Sequence, residues 1–113
     1  EVVVTNQSSI RFKKDVVDLI SVEELDPKKL LELPVRAFMD KEDYPISSSD
    51  SRYQQLIPGF IAEEMEAFYP IGADYEDTQN GVVESWNERI LVPAMLALIQ
   101  ELYTRIEILE NGA

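Results

Sequence analysis

Four apolar segments alternate with polar punctuation along the chain and do not share one period, which predicts an α+β fold of short strands and helices. Val2, Val3, Val4 and Thr5 are β-branched and predict a short strand, interrupted by the turn-forming run Asn6 to Ser9. Ile10 to Leu19 fits either a strand or irregular backbone. Asp26 before Pro27 is an N-cap with proline at the first helical position, so a helix is expected from Lys28 to about Leu33. Pro34 ends it by disfavouring the α conformation at the residue before it, and Val35 to Met39 follows as an extended segment. Asp40 to Arg52, with Pro45 and three consecutive serines, is expected as an exposed loop. Ile57 to Ala62 predicts a strand and Glu63 to Tyr69 a short helix stopped by Pro70. Asn80-Gly81, a dipeptide suited to two-residue hairpin turns, predicts a β-hairpin of Ile71 to Tyr75 with Val82 to Trp86. From Asn87 onward one long helix is expected. Pro93 sits in its opening turn or kinks it, and Asn111 and Gly112 end it.

In that last helix Val92, Ile99 and Ile106 fall at heptad position a, with Met95, Leu102 and Leu109 at d, so every seam position across three heptads is apolar. Such a stripe suits a coiled coil or a single helix lying on its own domain. Beyond Tyr103 little of the chain follows to cover the helix, so another subunit is the expected cover. β-Branched residues at a with leucine at d lean towards two strands; apolar Leu96, Leu98 and Tyr103 at the flanking e and g positions suit three helices, or one packed on both domain and partner. Dimer and trimer both remain open on this pattern.

The chain has 113 residues, 45% hydrophobic and 28% charged, which supports one core and one domain. Twenty-two acidic and ten basic residues give a net charge of -12, so the cationic surface that nucleic acid demands is missing. With no cysteine and no histidine, disulfides, thiolate metal sites and the usual general base are absent together. Hydrolytic chemistry would rest on serine or threonine with lysine, or on carboxylates. No apolar run approaches the roughly 18 residues of a membrane span, and Glu1 to Gln7 lacks the basic flank of a signal peptide. A membrane partner is not expected.

The candidate chemistry lies in Ser8-Ser9-Ile10-Arg11-Phe12-Lys13-Lys14, where two hydroxyls stand five residues ahead of two ammonium groups. A Ser–Lys dyad needs a neutral lysine to take the serine proton, a state that burial or cations such as Arg11 would favour. A solvated basic turn is the plainer reading. Glu63, Glu64 and Glu66, and Asp74, Glu76 and Asp77, are expected as solvated faces. Their spacing matches no calcium loop, and no phosphate-binding glycine loop is present, so neither metal nor cofactor is predicted.

Four ordered blocks covering nearly the whole chain resemble one family: the self-cleaving intramolecular chaperone domains at the C-terminus of phage tail spikes, tail fibres, neck appendages and endosialidases. Ser8, Arg11 and Lys13, followed by Lys14-Asp15-Val16, fill its opening motif Ser-Asp-x-Arg-x-Lys. Leu25 to Phe38, with Pro34 and Phe38 in place, resembles its next stretch. Ile57-Pro58-Gly59-Phe60-Ile61-Ala62-Glu63-Glu64-Met65 leading to Phe68-Tyr69-Pro70 is similar as well. So is the closing helix, with Arg89-Ile90-Leu91-Val92-Pro93 and Ile99-Gln100-Glu101-Leu102.

The resemblance implies a homotrimer that assists folding of the upstream, β-rich part of its own polypeptide and then cuts itself away, once and in cis. Residues 1–7 would end the upstream spike or fibre segment, 8–113 would form the chaperone domain, and 87–112 its oligomerisation helix. Ser8 would be the nucleophile and Lys13 the general base, with the scissile bond between Gln7 and Ser8 and Arg11 as the motif arginine. The setting implied is a virion tail or appendage precursor assembled in the host cytoplasm. One departure stands out: the motif aspartate is Ser9 here, which creates a second pair, Ser9 with Lys14. Arg11 fits only the Ser8 register. The rival expectation is a permanent trimerisation cap on a fibrous protein, without chemistry.

Overall fold

A computed structural model describes residues 8–41, 49, 53–77 and 81–112. The expected strand at Val2 to Thr5, Gln7, Asn80 and most of the loop from Asp40 to Arg52 lie outside the described residues. The architecture mixes α and β: strand β1 (Arg36–Phe38), β2 (Ile57–Gly59), helix α1 (Ala62–Phe68), β3 (Ala73–Asp77), β4 (Val82–Trp86) and the long helix α2 (Glu88–Asn111). β1 pairs antiparallel with β2, Ala37 opposite Pro58, and β3 pairs antiparallel with β4, Ala73 opposite Trp86. These are two separate two-stranded sheets.

Before β1 the backbone forms short 3-10 turns at Ile10–Phe12, Leu19–Ser21 and Glu23–Leu25, which resolves Ile10 to Leu19 as irregular rather than strand. The element expected at Lys28 to Leu33 forms as a 3-10 helix, Pro27–Glu32. Its start is the one expected: an Asp26 carboxylate oxygen accepts from the Lys28 N–H at 3.0 Å, with Pro27 in the first turn. Bounded by Pro27 and Pro34, the six-residue segment takes the tighter i→i+3 pattern common in short helical pieces.

α1 is followed by Tyr69 with φ −147 and ψ 77, and Pro70 opens a new 3-10 turn. The β3–β4 hairpin forms where expected, and Asn80 of its expected turn lies outside the described residues. Its last described pair is Asp77 with Val82, and the register shifts on either side of Tyr75. Gly81 has φ +69, a conformation that costs glycine little. Asn87 joins this hairpin to α2: its N–H donates to the Gly72 carbonyl at 2.8 Å, and its side-chain oxygen accepts from the Arg89 N–H at 2.9 Å as the N-cap. Pro93 lies inside α2 rather than in its first turn. It removes the donor for the Arg89 carbonyl on an exposed side of the helix, where water can substitute. Gly112 closes α2 through its N–H to the Ile108 carbonyl at 2.7 Å, with φ −98 instead of a left-handed cap.

The core is one cluster: Leu30 and Leu33 from the 3-10 helix, Met65 and Tyr69 from α1 and its end, Ala73, and Leu91, Ala94 and Leu98 from α2. Gly72 permits the close approach at its centre, since a Cβ there would lie 2.9 Å from the Met65 sulfur and 3.0 Å from a Leu91 methyl. Phe60 meets Trp86 edge to face, with ring centroids 5.1 Å apart. Two polar contacts tie the outlying pieces to α1. The Tyr69 hydroxyl donates to the Leu25 carbonyl at 2.6 Å, and the Arg36 guanidinium grips Glu64 with both oxygens engaged, at 3.1 and 2.6 Å.

Tyr69→Phe removes the hydroxyl but keeps the ring, so it should lower stability by about 1–2 kcal/mol, read as an earlier urea midpoint at unchanged slope. An unchanged midpoint would show that the Leu25 carbonyl finds water instead. The Arg36 hydrogen bonds hold the Glu64 carboxyl below its ordinary value of 4.5. A carboxyl depressed by folding contributes stability above its unfolded value, and that contribution is lost as pH falls through the folded one. Glu64→Gln should therefore flatten the fall of the melting temperature below about pH 4.5; parallel curves for the two proteins would contradict this.

Candidate functional site

The 3-10 turn Ile10–Phe12 organises the Ser/Lys segment. Phe12 N–H donates to the Ser9 carbonyl and Lys13 N–H to the Ile10 carbonyl, each at 3.0 Å. The Ser9 hydroxyl accepts from the Arg11 N–H at 3.4 Å and so caps the turn. Ser8 therefore stands just before the cap and Lys13 is the residue that closes the turn, with Lys14 one residue beyond. Ser8, Lys13 and Lys14 are all exposed in the single chain. The Arg11 guanidinium carbon lies 4.6 Å from the Phe12 ring centroid, a cation–π contact. Asp15 then reverses the chain at φ 53, a left-handed conformation that aspartate tolerates better than most residues.

The apolar residues of this arm, Ile10, Phe12, Val16 and Val17, are exposed; Leu19 is the first to pack against the core. Beside it an open groove of about 470 Å³ runs between Asp18, Leu19 and Ile20 and the α2 residues Ala97, Gln100 and Thr104. The arm thus touches α2 at its end, and the Ser/Lys turn lies out in water. Chemically, a hydroxyl and an amine on one turn become nucleophile and base only where something removes water from the amine.

α2 carries the second candidate feature. Its core-facing stripe is Leu91, Ala94 and Leu98, at the i, i+3, i+7 spacing of one helix face. Leu98, a misfit at a flanking heptad position, is apolar because its own domain buries it. The a positions Val92, Ile99 and Ile106 lie about a quarter to a third of a turn round the helix from that core stripe, whereas Leu102 and Leu109 fall near its line and are exposed because the helix has left the domain there. Val92, Ile99, Leu102, Ile106 and Leu109 are 40% to 73% exposed, and Leu96 and Tyr103 join them on that surface. Met95 differs from the other seam positions, being half-buried and packed against the core. Every described residue from Leu102 to Gly112 is exposed, so the last part of α2 projects beyond the domain. The core stripe was missed in the sequence because the longer a/d pattern overlays it.

The carboxylates expected as plain solvated faces have partners. Glu64 pairs with Arg36, and Glu66 accepts from the Tyr75 hydroxyl at 2.7 Å, which holds that phenol above its ordinary value. Asp74 accepts from the Asn87 side-chain amide at 3.4 Å, whereas Glu63 is exposed. The side chains of Glu76 and Asp77 lie outside the described residues. Among the described residues no three acidic side chains converge as a metal would require, and no helix is long and apolar enough to cross a membrane.

Comparison with known proteins yields no matching family model, no similar curated protein and no similar solved structure.

Proposed function

We propose that this chain is a homotrimeric intramolecular chaperone domain that assists folding of the β-rich segment upstream of it and releases itself by cleavage between Gln7 and Ser8. The observation that carries the reading is the double apolar surface of α2. One face is spent on the protomer's own core, which Met95 also reaches, while the a/d residues Val92, Ile99, Leu102, Ile106 and Leu109, on another face and on the projecting end, are exposed. A contiguous apolar surface of this kind marks an interaction site. The heptad spacing favours like helices from further copies of the same chain. Three copies suit the stripe because apolar Leu96 and Tyr103 widen it beyond what two helices would cover.

Support for the cleavage half comes from Ser8 and Lys13 flanking one capped turn, in the register that also fits Arg11. In the reaction, the Ser8 Oγ attacks the Gln7 carbonyl carbon while Lys13 Nζ takes its proton. The carbon–nitrogen bond then breaks, the proton passing to the Ser8 nitrogen, and water hydrolyses the resulting ester. The products are a Gln7 carboxylate and a chain that begins at Ser8. Lys13 is exposed in one protomer, so desolvation of the amine falls to the assembled trimer, and cleavage follows assembly. No cofactor, nucleic acid or membrane enters this reading. The exposure of Ser8 and Lys13 also suits the rival, a permanent trimerisation cap without chemistry.

Two measurements test the halves separately. Ile99→Asp with Leu102→Asp places carboxylates in the proposed seam, where each buried unpaired charge costs several kcal/mol, roughly 3–5. Sedimentation should report loss of the trimer; a trimer that persists would remove the seam from the interface. In the chain with its upstream residues, intact mass over time should show cleavage that Ser8→Ala abolishes. Lys13→Arg should also abolish it, because a guanidinium keeps its proton. Lys14→Ala should cleave as the wild type does. A folded trimer that stays full length would leave the cap reading in place, and cleavage surviving in Ser8→Ala would move the nucleophile.

A further inference from the structure

Ser9 has work to do in this segment that the Ser8 and Lys13 roles leave unexplained. Its side-chain oxygen accepts from the Arg11 N–H, and its carbonyl accepts from the Phe12 N–H, so both ends of the residue close the 3-10 turn. The turn is only three residues long and has no buried residue, so it has no core contact to hold it. Its apolar members Ile10 and Phe12 are exposed, and Leu19, further along, is the first residue to pack.

From this, and resting on the self-cleavage reading above, we infer that Ser9 is a positioning residue: its hydroxyl caps the turn that fixes Ser8 relative to Lys13. In this assignment the Ser9 hydroxyl serves as an acceptor at the Arg11 N–H, and the nucleophile's role stays with Ser8. The requirement at position 9 is a side-chain acceptor in N-cap geometry, which asparagine and aspartate also provide. The departure from the motif that this segment resembles, serine for aspartate, then exchanges one capping side chain for another.

The test is a cleavage time course by intact mass on the chain 1–113, with wild type, Ser9→Ala, Ser9→Asn and Ser9→Asp side by side. Ser9 is exposed, so circular dichroism and sedimentation should be the same for all four. Ser9→Ala should cleave about fivefold more slowly, the rate equivalent of one lost cap. Ser9→Asn and Ser9→Asp should stay within about twofold of wild type, a rescue that follows capping and not the hydroxyl itself. Ser9→Ala cleaving at the wild-type rate would overturn the positioning role while leaving the dyad untouched. Cleavage abolished in all three variants would make Ser9 the nucleophile and overturn it differently. A wild-type chain that assembles and never cleaves sinks the self-cleavage reading, and this role with it.

Discussion

The packing of the Leu91, Ala94 and Leu98 face of α2 onto Met65 and Tyr69 is the contact through which the remaining elements meet. Met65 is fully buried, and Leu91 and Ala94 are nearly so. Full burial of one such side chain is worth about 1.5–3 kcal/mol. Gly72 lets α2 come this close, because any side chain there would press on both Met65 and Leu91. The 3-10 helix contributes Leu30 and Leu33 to the same cluster, and the Asn87 N–H bond to the Gly72 carbonyl fixes where α2 departs from the hairpin. The β1–β2 sheet reaches this centre through the exposed Arg36–Glu64 pair, a weaker attachment by nature because water competes for both ions.

That core is small for the length of chain around it. Among the described residues eight buried hydrophobic side chains form it. The projecting end of α2 and the arm from Ser8 to Val17 lie away from that cluster. Both expose apolar residues in quantity, which a lone soluble domain rarely sustains. The proposed trimer supplies a use for both: neighbouring helices cover the seam, and assembly brings the desolvation that a lysine base requires. In that proposal one helix would serve the core and the association at once, through different positions along and around it.

The segment at the N-terminal end separates chemistry from environment in a similar way. The order of hydroxyl and amine along the chain is settled within six residues, on either side of one capped turn. Whether an amine there can act as a base depends on what covers it, and in the single protomer Lys13 faces solvent. Under the proposed self-cleavage, a site divided like this would stay inactive until its surroundings are complete.

Local rules were enough for much of this protein. Asp26 and Pro27 start an element and Pro34 stops it, Pro70 follows α1, Asn87 caps α2, and the β3–β4 hairpin lies where alternation and Gly81 put it, because each depends on residues adjacent in the chain. The heptads of α2 and the order of Ser8, Arg11 and Lys13 were legible for the same reason. What adjacency does not encode was settled by the tertiary structure. The Lys28 region became 3-10 helix between two prolines, and the hairpin register shifted on either side of Tyr75. Glu64 and Glu66 acquired partners from distant segments, Arg36 and Tyr75. Most telling is the division of α2: periodicity alone marks its apolar residues but not what covers each of them. Only the position of Met65 and Tyr69 in space turns Leu91, Ala94 and Leu98 inward and leaves Val92, Ile99 and Ile106 facing water.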